Sequence, residues 1–262
     1  MKAKKRYGQH FLQPQWADKL VEAIQPRPED QFLEIGPGPG ALTLRLAPRV
    51  SHLTAIELDP DMIAALRPSL PANVTLIESD ILDADLAAMT GGRPVRVAGN
   101  LPYNVSSPIL FRLLHAHKTA AGLIDATLML QREVAERIEA KPGTKDFGVL
   151  SIFVQLHADV RRLLTLPPGA FRPAPKVHSS VIRLTFRPPV VRIADDARFE
   201  SMVRTMFMQR RKTLANALKP FAETLQMSAV AALTRAGIDP SRRPETLQLD
   251  ELARLADVFV SR

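Results

Sequence analysis

The chain has 262 residues, 46% of them hydrophobic, with 35 Lys and Arg against 27 Asp and Glu, a formal net charge of +8 and a pI near 10.1. It has no cysteine, which excludes disulfides, cysteine-ligated metals and any ring methylation that needs a cysteine nucleophile. No apolar run approaches about 18 residues, so no membrane span is expected, and the basic excess favours a polyanionic partner.

The chain opens with a basic run from Lys2 to Arg6, followed by Gly8-Gln9-His10-Phe11-Leu12. This stretch lacks the apolar core of a signal peptide, so a cytoplasmic protein is expected. Terminal segments commonly fray. The apolar pair Phe11-Leu12 argues for docking, and the basic run could reach RNA phosphate. A helix is expected over 17–24, closed by Pro26, ahead of a sheet with alternating helices over 30–187.

Phe32-Leu33-Glu34-Ile35 reads as an apolar strand running into the turn Gly36-Pro37-Gly38-Pro39-Gly40, and a helical pattern follows over 41–46. This is the opening strand–turn–helix of a doubly wound nucleotide-binding sheet. A pyrophosphate would need backbone N–H groups at the helix start, and Pro37 and Pro39 have none. The third glycine also stands one place early, with Ala41 in its usual position. A ligand without phosphate fits better, and S-adenosylmethionine is one: adenosine, ribose diol and a cationic sulfonium. Glu57, at the end of the second strand, can accept from both ribose hydroxyls. Asp80, just past a third strand over 74–78, can meet the adenine amine. Either acid could instead be a helix cap or a surface ion pair. Glu34 reads as a partner of the glycine turn or a buried carboxylate.

The fourth strand, Val95-Arg96-Val97-Ala98-Gly99, delivers Asn100-Leu101-Pro102-Tyr103 to the same carboxyl edge, where ligands bind in open α/β sheets. The Asn side-chain oxygen and the Leu101 carbonyl can accept both hydrogens of a ring amine, while the Tyr face stacks on the ring. The amine of adenine is a poor nucleophile because its lone pair is delocalised. Two such hydrogen bonds favour a pyramidal nitrogen and aim the lone pair at a methyl donor. Tyr103 can stabilise the developing cation. No strong base is required, because the nitrogen becomes acidic after attack. The target base must leave its stack to reach such a pocket.

Further along, 106–117 reads as a helix, 126–131 as a fifth strand, 132–140 and 149–157 as helices, and 160–166 with 180–186 as paired strands. Pro188-Pro189 marks a linker. Beyond it, 199–218, 228–236 and 249–260 read as helices. Arg210-Arg211-Lys212 is therefore expected on an amphipathic helix beside Met206, Phe207 and Met208, suited to phosphate contact.

Taken together, Gly8 to Leu12, Glu34 to Gly40, Glu57-Leu58-Asp59, Asp80, Asn100 to Asn104, Phe171-Arg172-Pro173-Ala174-Pro175-Lys176-Val177 and Gln209-Arg210-Arg211-Lys212-Thr213-Leu214 resemble the ribosomal RNA adenine dimethyltransferase family. Two departures are His10, where the family usually carries Asn, and Pro39, at a position the family varies. The resemblance implies an α/β fold: a Rossmann-like class I methyltransferase sheet with a small C-terminal all-helical domain. It implies a catalytic domain over 1–187 and a helical RNA-binding domain over 190–262. It implies an S-adenosylmethionine site of His10, Leu12, Gly36, Glu57, Asp80 and Asn100, with no metal. Catalysis would rest on Asn100, Leu101, Pro102 and Tyr103, with Phe171 on the second face of the base. Arg210, Arg211 and Lys212 would contact RNA. The implied substrate is a pair of adjacent adenosines near the 3′ end of 16S rRNA, met in a small-subunit assembly intermediate by a monomer. Competing readings are a large-subunit adenine methyltransferase of the resistance type, a DNA adenine methyltransferase and a non-catalytic assembly factor. The two C-terminal motifs favour the first reading over its enzymatic rivals, and the intact Glu57, Asp80 and Asn100–Tyr103 set speaks against the last.

Overall fold

The computed structural model describes residues 9–119 and 122–260. The basic run from Lys2 to Arg6, and Gly8, lie outside them. The described residues form two compact units: one holds the chain up to Ala135 together with Asp159–Arg187, the other Glu136–Ala158 together with the chain from Pro188.

In the first unit, the two-residue strand β1 (Phe11–Leu12) leads into α1 (Pro14–Ile24). Strand β2 (Gln31–Ile35) is followed by a glycine turn and the short α2 (Thr43–Leu46), β3 (His52–Glu57) by α3 (Pro60–Leu66), and β4 (Val74–Glu78) by α4 (Leu86–Thr90). Then come β5 (Val95–Asn100), α5 (Ser106–Lys118), β6 (Leu123–Gln131) and the start of α6 (Arg132–Glu139), which from Glu136 on belongs to the other unit. After α7 (Val149–His157), which belongs to the other unit, the chain adds β7 (Ala158–Leu166), the two-residue β8 (Phe171–Arg172) and β9 (Ser179–Phe186). The seven-stranded sheet has the order β4-β3-β2-β5-β6-β9-β7. Its first five members are parallel, and β9 runs antiparallel to β6. The strand order reverses beside β2, between β3 and β5, and that crevice is where a doubly wound sheet opens to ligand.

Helix α1 turns Ala17, Leu20, Val21 and Ile24 inward, the spacing of a single apolar face. They join Phe32, Leu46, Leu53, Ala98, Met129 and Phe171 in one core, against which the half-buried Trp16 also packs. Lys19 Nζ lies 4.5 Å over the Trp16 ring. Arg96, in the middle of the apolar β5, is 8% exposed. Its guanidinium binds Asp30 at 2.7 Å and Asp125 at 3.0 Å, and donates to the carbonyls of Ile24 and Gln25 at the end of α1. A cation at a helix carboxyl end meets the negative end of its dipole, so one buried charge closes α1 onto two strands. Losing it would strip its closest partner from the buried Asp125 and from the half-buried Asp30, and breaking a buried pair costs about 3–5 kcal/mol in comparable cases.

The second unit holds α7 with α8 (Asp196–Met208), α9 (Leu214–Thr224), α10 (Ala229–Arg235) and α11 (Leu249–Val258). Its aromatic contacts are edge-on: Phe147 with Phe207, Phe153 with Phe199, and Phe221 with Phe259. These contacts explain why residues 136–158 leave the sheet unit, in which the expected domain over 1–187 had placed them. Helix α7 buries six of its nine residues, Ser151, Ile152, Phe153, Val154, Leu156 and His157, and that much apolar surface needs helices around it. The single helix expected over 199–218 is two helices. The chain leaves the helical path after Met208, with Lys212 N–H bonding the Gln209 carbonyl. Leu214 and Ala215 N–H are then captured by the carbonyls of Arg242 and Pro240. The basic cluster consequently sits in a turn, not on an amphipathic face.

Candidate active site

Three glycines with positive φ carry the chain from β2 into α2: Gly36 at 67°, Gly38 at 52° and Gly40 at 86°. A Cβ at Gly40 would lie 2.4 Å from Leu66 Cδ1, so that buried side chain would have to shift to admit it. Every N–H of these glycines is already used. Gly36 donates to the Ile56 carbonyl, Gly40 to that of Pro37, and Gly38 to Glu57 Oε2 at 2.9 Å. The other oxygen of Glu57 accepts from the N–H groups of Leu58 and Asp59, both at 2.9 Å. An acid therefore fills the anion cradle that a dinucleotide fold leaves open. A pyrophosphate does not fit here. A neutral ribose or a cation does, because Glu57 Oε2 keeps a free lone pair.

Two cavities adjoin at this edge and share Gln9, Gly36 and Pro102 in their walls. One is lined by Glu57, Asp80, Ile81, Leu82 and Ile109. Asp80 Oδ1 accepts from Leu82 N–H at 2.9 Å. The other is lined by His10, Leu12, Glu34, Asn100, Leu101 and Tyr103. Glu34 is 2% exposed, and its Oε2 has no partner. Burial pushes its carboxyl up to about 8; Thr43 opposes the rise and Glu57 adds to it. The acid is thus neutral at pH 7, poised beside a cavity that could hold a cation.

The segment before α1 crosses these cavities. Gln9 Nε2 donates to Asp59 Oδ2 at 3.0 Å. Phe11 and Leu12 pair antiparallel with Arg172 and Phe171. Asn100 Nδ2 donates to the His10 carbonyl at 2.8 Å, which leaves Asn100 Oδ1 as the free acceptor. The His10 ring stacks on Tyr103 with centroids 5.4 Å apart and planes 28° from parallel. Its Nδ1 lies 2.7 Å from the Pro173 carbonyl, so Nδ1 carries the proton. The Tyr103 hydroxyl sits 2.6 Å from Ser179 Oγ, and burial raises its pKa, keeping the phenol neutral.

The expected residues His10, Leu12, Gly36, Asn100, Leu101, Pro102 and Tyr103 thus meet around one cavity, and Glu57 and Asp80 around its neighbour. Phe171 does not join them. It is 2% exposed and packed in the core with Leu12 and Ala170, because β8 pairs with β1 and turns the ring inward. In the helical unit, Arg210 donates to the Lys145 carbonyl, while Arg211 and Lys212 are exposed. Gln9 and Ser179 were not expected as site residues, whereas Glu34, read as a partner of the glycine turn or a buried carboxylate, is a buried carboxylate. Gln9 stands inside a motif that could have flagged it; Ser179 has no local signal at all.

The ribosomal RNA adenine dimethylase family matches residues 1–260. The chain is 45% identical over 260 residues to "Ribosomal RNA small subunit methyltransferase A" of Xanthomonas euvesicatoria, covering 98% of this chain and 96% of that protein. The protein of the same name from Xanthomonas campestris is likewise 45% identical, with the same coverage. Among solved structures, a dimethyladenosine transferase from Plasmodium falciparum superposes with a TM-score of 0.78 at 24% identity, covering 94% of this chain and 96% of that one. The 23S rRNA methyltransferase ErmE superposes with a TM-score of 0.67 at 27% identity, covering 96% and 100%.

Proposed function

The chain belongs to the ribosomal RNA adenine dimethylase family, and from that premise we propose which residues carry its reaction and which RNA it meets. It is an rRNA adenine N6,N6-dimethyltransferase. The cofactor is S-adenosylmethionine, which when bound supplies an electrophilic methyl group. The adenosine half would be held by Gly36, Glu57 and Asp80, with Glu57 Oε2 available to accept from the ribose and Asp80 to meet the adenine amine. The amino-acid half would lie against His10, Leu12 and Asn100.

The observation that carries the catalytic reading is the hydrogen bond from Asn100 Nδ2 to the His10 carbonyl. It sets the carboxamide so that Oδ1 is available as an acceptor. Asn100 Oδ1 and the Leu101 carbonyl then take the two hydrogens of the target amine, with Pro102 fixing the turn between them and Tyr103. The geometry holds the nitrogen lone pair toward the donor and supplies most of the acceleration as positioning. The Tyr103 ring stacks on the base and stabilises the charge that grows on nitrogen. The proton then leaves to water, so no base need be supplied by the protein. With Phe171 in the core, the second face of the base is covered only if that ring turns outward when RNA binds.

The substrate is two adjacent adenosines near the 3′ end of 16S rRNA, presented by a small-subunit assembly intermediate in the cytoplasm to a monomeric enzyme. The 45% identity to small-subunit enzymes supports this over the large-subunit reading. The test is to incubate the protein with S-adenosylmethionine and unmodified small subunits, then map methylated nucleotides by mass spectrometry. Two neighbouring dimethyladenosines near the 3′ end are expected. Transfer confined to large-subunit RNA would support the resistance-type reading, and RNA binding with no transfer the assembly-factor one.

A further inference from the structure

We propose that the loop of residues 172–178 is a second RNA-binding element, in which Arg172 and Lys176 grip the backbone phosphates flanking the everted adenosine. This rests on the RNA methyltransferase reading above. Both ends of the loop are fastened to the groups around Tyr103. At its start, Arg172 pairs with Phe11, and the Pro173 carbonyl accepts from the His10 ring that stacks on Tyr103. At its end, the His178 carbonyl accepts from Arg132 N–H at 3.0 Å, and the next residue, Ser179, meets the Tyr103 hydroxyl. Pro175 is buried and anchors the middle, while Arg172, Lys176, Val177 and His178 face outward.

The charge of this loop is unbalanced. Residues 172–178 contain no carboxylate, and neither Arg172 nor Lys176 makes an ion pair with a described residue. Arg45 and Arg187 of the same unit are neutralised, by Asp18 and Asp159, whereas Arg49, Arg67 and Arg93 face solvent as Arg172 does, but away from the groups that line the Tyr103 cavity. A nucleotide that swings out of its stack turns about its own backbone, which brings the phosphates on either side to the rim of the pocket it enters. Arg172 and Lys176 stand four residues apart, at most about 13 Å along the chain, a reach suited to neighbouring phosphates. Such contacts position the strand and carry no sequence information.

The experiment compares wild type with the double variant Arg172→Gln/Lys176→Gln. The probe is an unmethylated RNA stem-loop with adjacent adenosines in its loop, and Kd is measured across a salt series. Each phosphate contact to a single strand contributes about 0.7 to the log–log salt slope, so the variant's slope should fall in magnitude by about 1.4. Its Kd at physiological salt should rise at least about tenfold, with its melting temperature and its S-adenosylmethionine affinity by calorimetry unchanged. An unchanged slope in a normally folded variant, beside a wild type that binds and methylates the RNA, overturns the loop's role alone. A wild type that neither binds nor methylates RNA overturns the underlying reading as well.

Discussion

Glu34 keeps a carboxyl in the core of a strand, with one oxygen unpartnered. In the unfolded chain it ionises near 4.5, and in the folded one near 8. The folded state therefore holds a proton that the unfolded state releases. That stabilisation is complete below about pH 4.5 and is lost as pH rises to about 8. Glu34→Gln, neutral at every pH, should gain on wild type as pH rises from 5, by up to about 5 kcal/mol above pH 8, and should converge with it near pH 5. Thermal melting across that range checks this, and a gap independent of pH would refute it. Tyr103 poses a different question, stacking against hydroxyl. Tyr103→Ala should lower kcat/KM about 10- to 100-fold, the worth of one base–aromatic stack. Tyr103→Phe should keep most activity and lose about 1 kcal/mol of stability, since it leaves the buried Ser179 Oγ without its partner. Asn100→Ala should abolish transfer in single-turnover assays while cofactor affinity falls less. Asn100 and Tyr103 were legible in the sequence because they follow an apolar run at a strand end. Their partners were not: Ser179 is 76 residues from Tyr103, and Pro173 is 163 from His10. Periodicity carries no information across such separations.

Among the elements, the glycine turn and the strand ends were readable because each has a local signature, an apolar run closed by Gly, Glu or Asn. Strands β1 and β8 were not, since two residues show no period. The break between α8 and α9 was hidden as well. Residues 209–213 contain neither Gly nor Pro, and what interrupts the helix is capture of two amides by carbonyls nearly thirty residues away. Arg96 went unread for the opposite reason: an Arg within an apolar strand looks like an outward-facing residue until its two carboxylates come together. The turn itself can be tested. Gly40→Ala should cost about 1–3 kcal/mol in denaturant unfolding, combining a left-handed backbone with the approach to Leu66. Gly143→Ala has nearly the same φ, 87°, but nothing within 4 Å, so it should cost less; equal losses would remove the steric part of the argument.

Across the whole molecule, the excess of positive charge is not spread evenly in purpose. Some of it is structural, as in Arg96 with its buried acids and Arg210 with the Lys145 carbonyl. Some is left facing solvent, as in Arg211 and Lys212. Charge reversal at Arg211 and Lys212 should weaken RNA binding and flatten its salt dependence without lowering the melting temperature. Arg210→Ala should instead lower the melting temperature first. A uniform effect of all three on RNA affinity alone would contradict that division.

Trp16, the only indole in the chain, lies on the first helical turn after the segment that crosses the two cavities. That position makes it a built-in optical reporter. Cofactor bound beneath Gln9 to Leu12 should shift its fluorescence, so binding can be timed in stopped flow with no label attached to the protein.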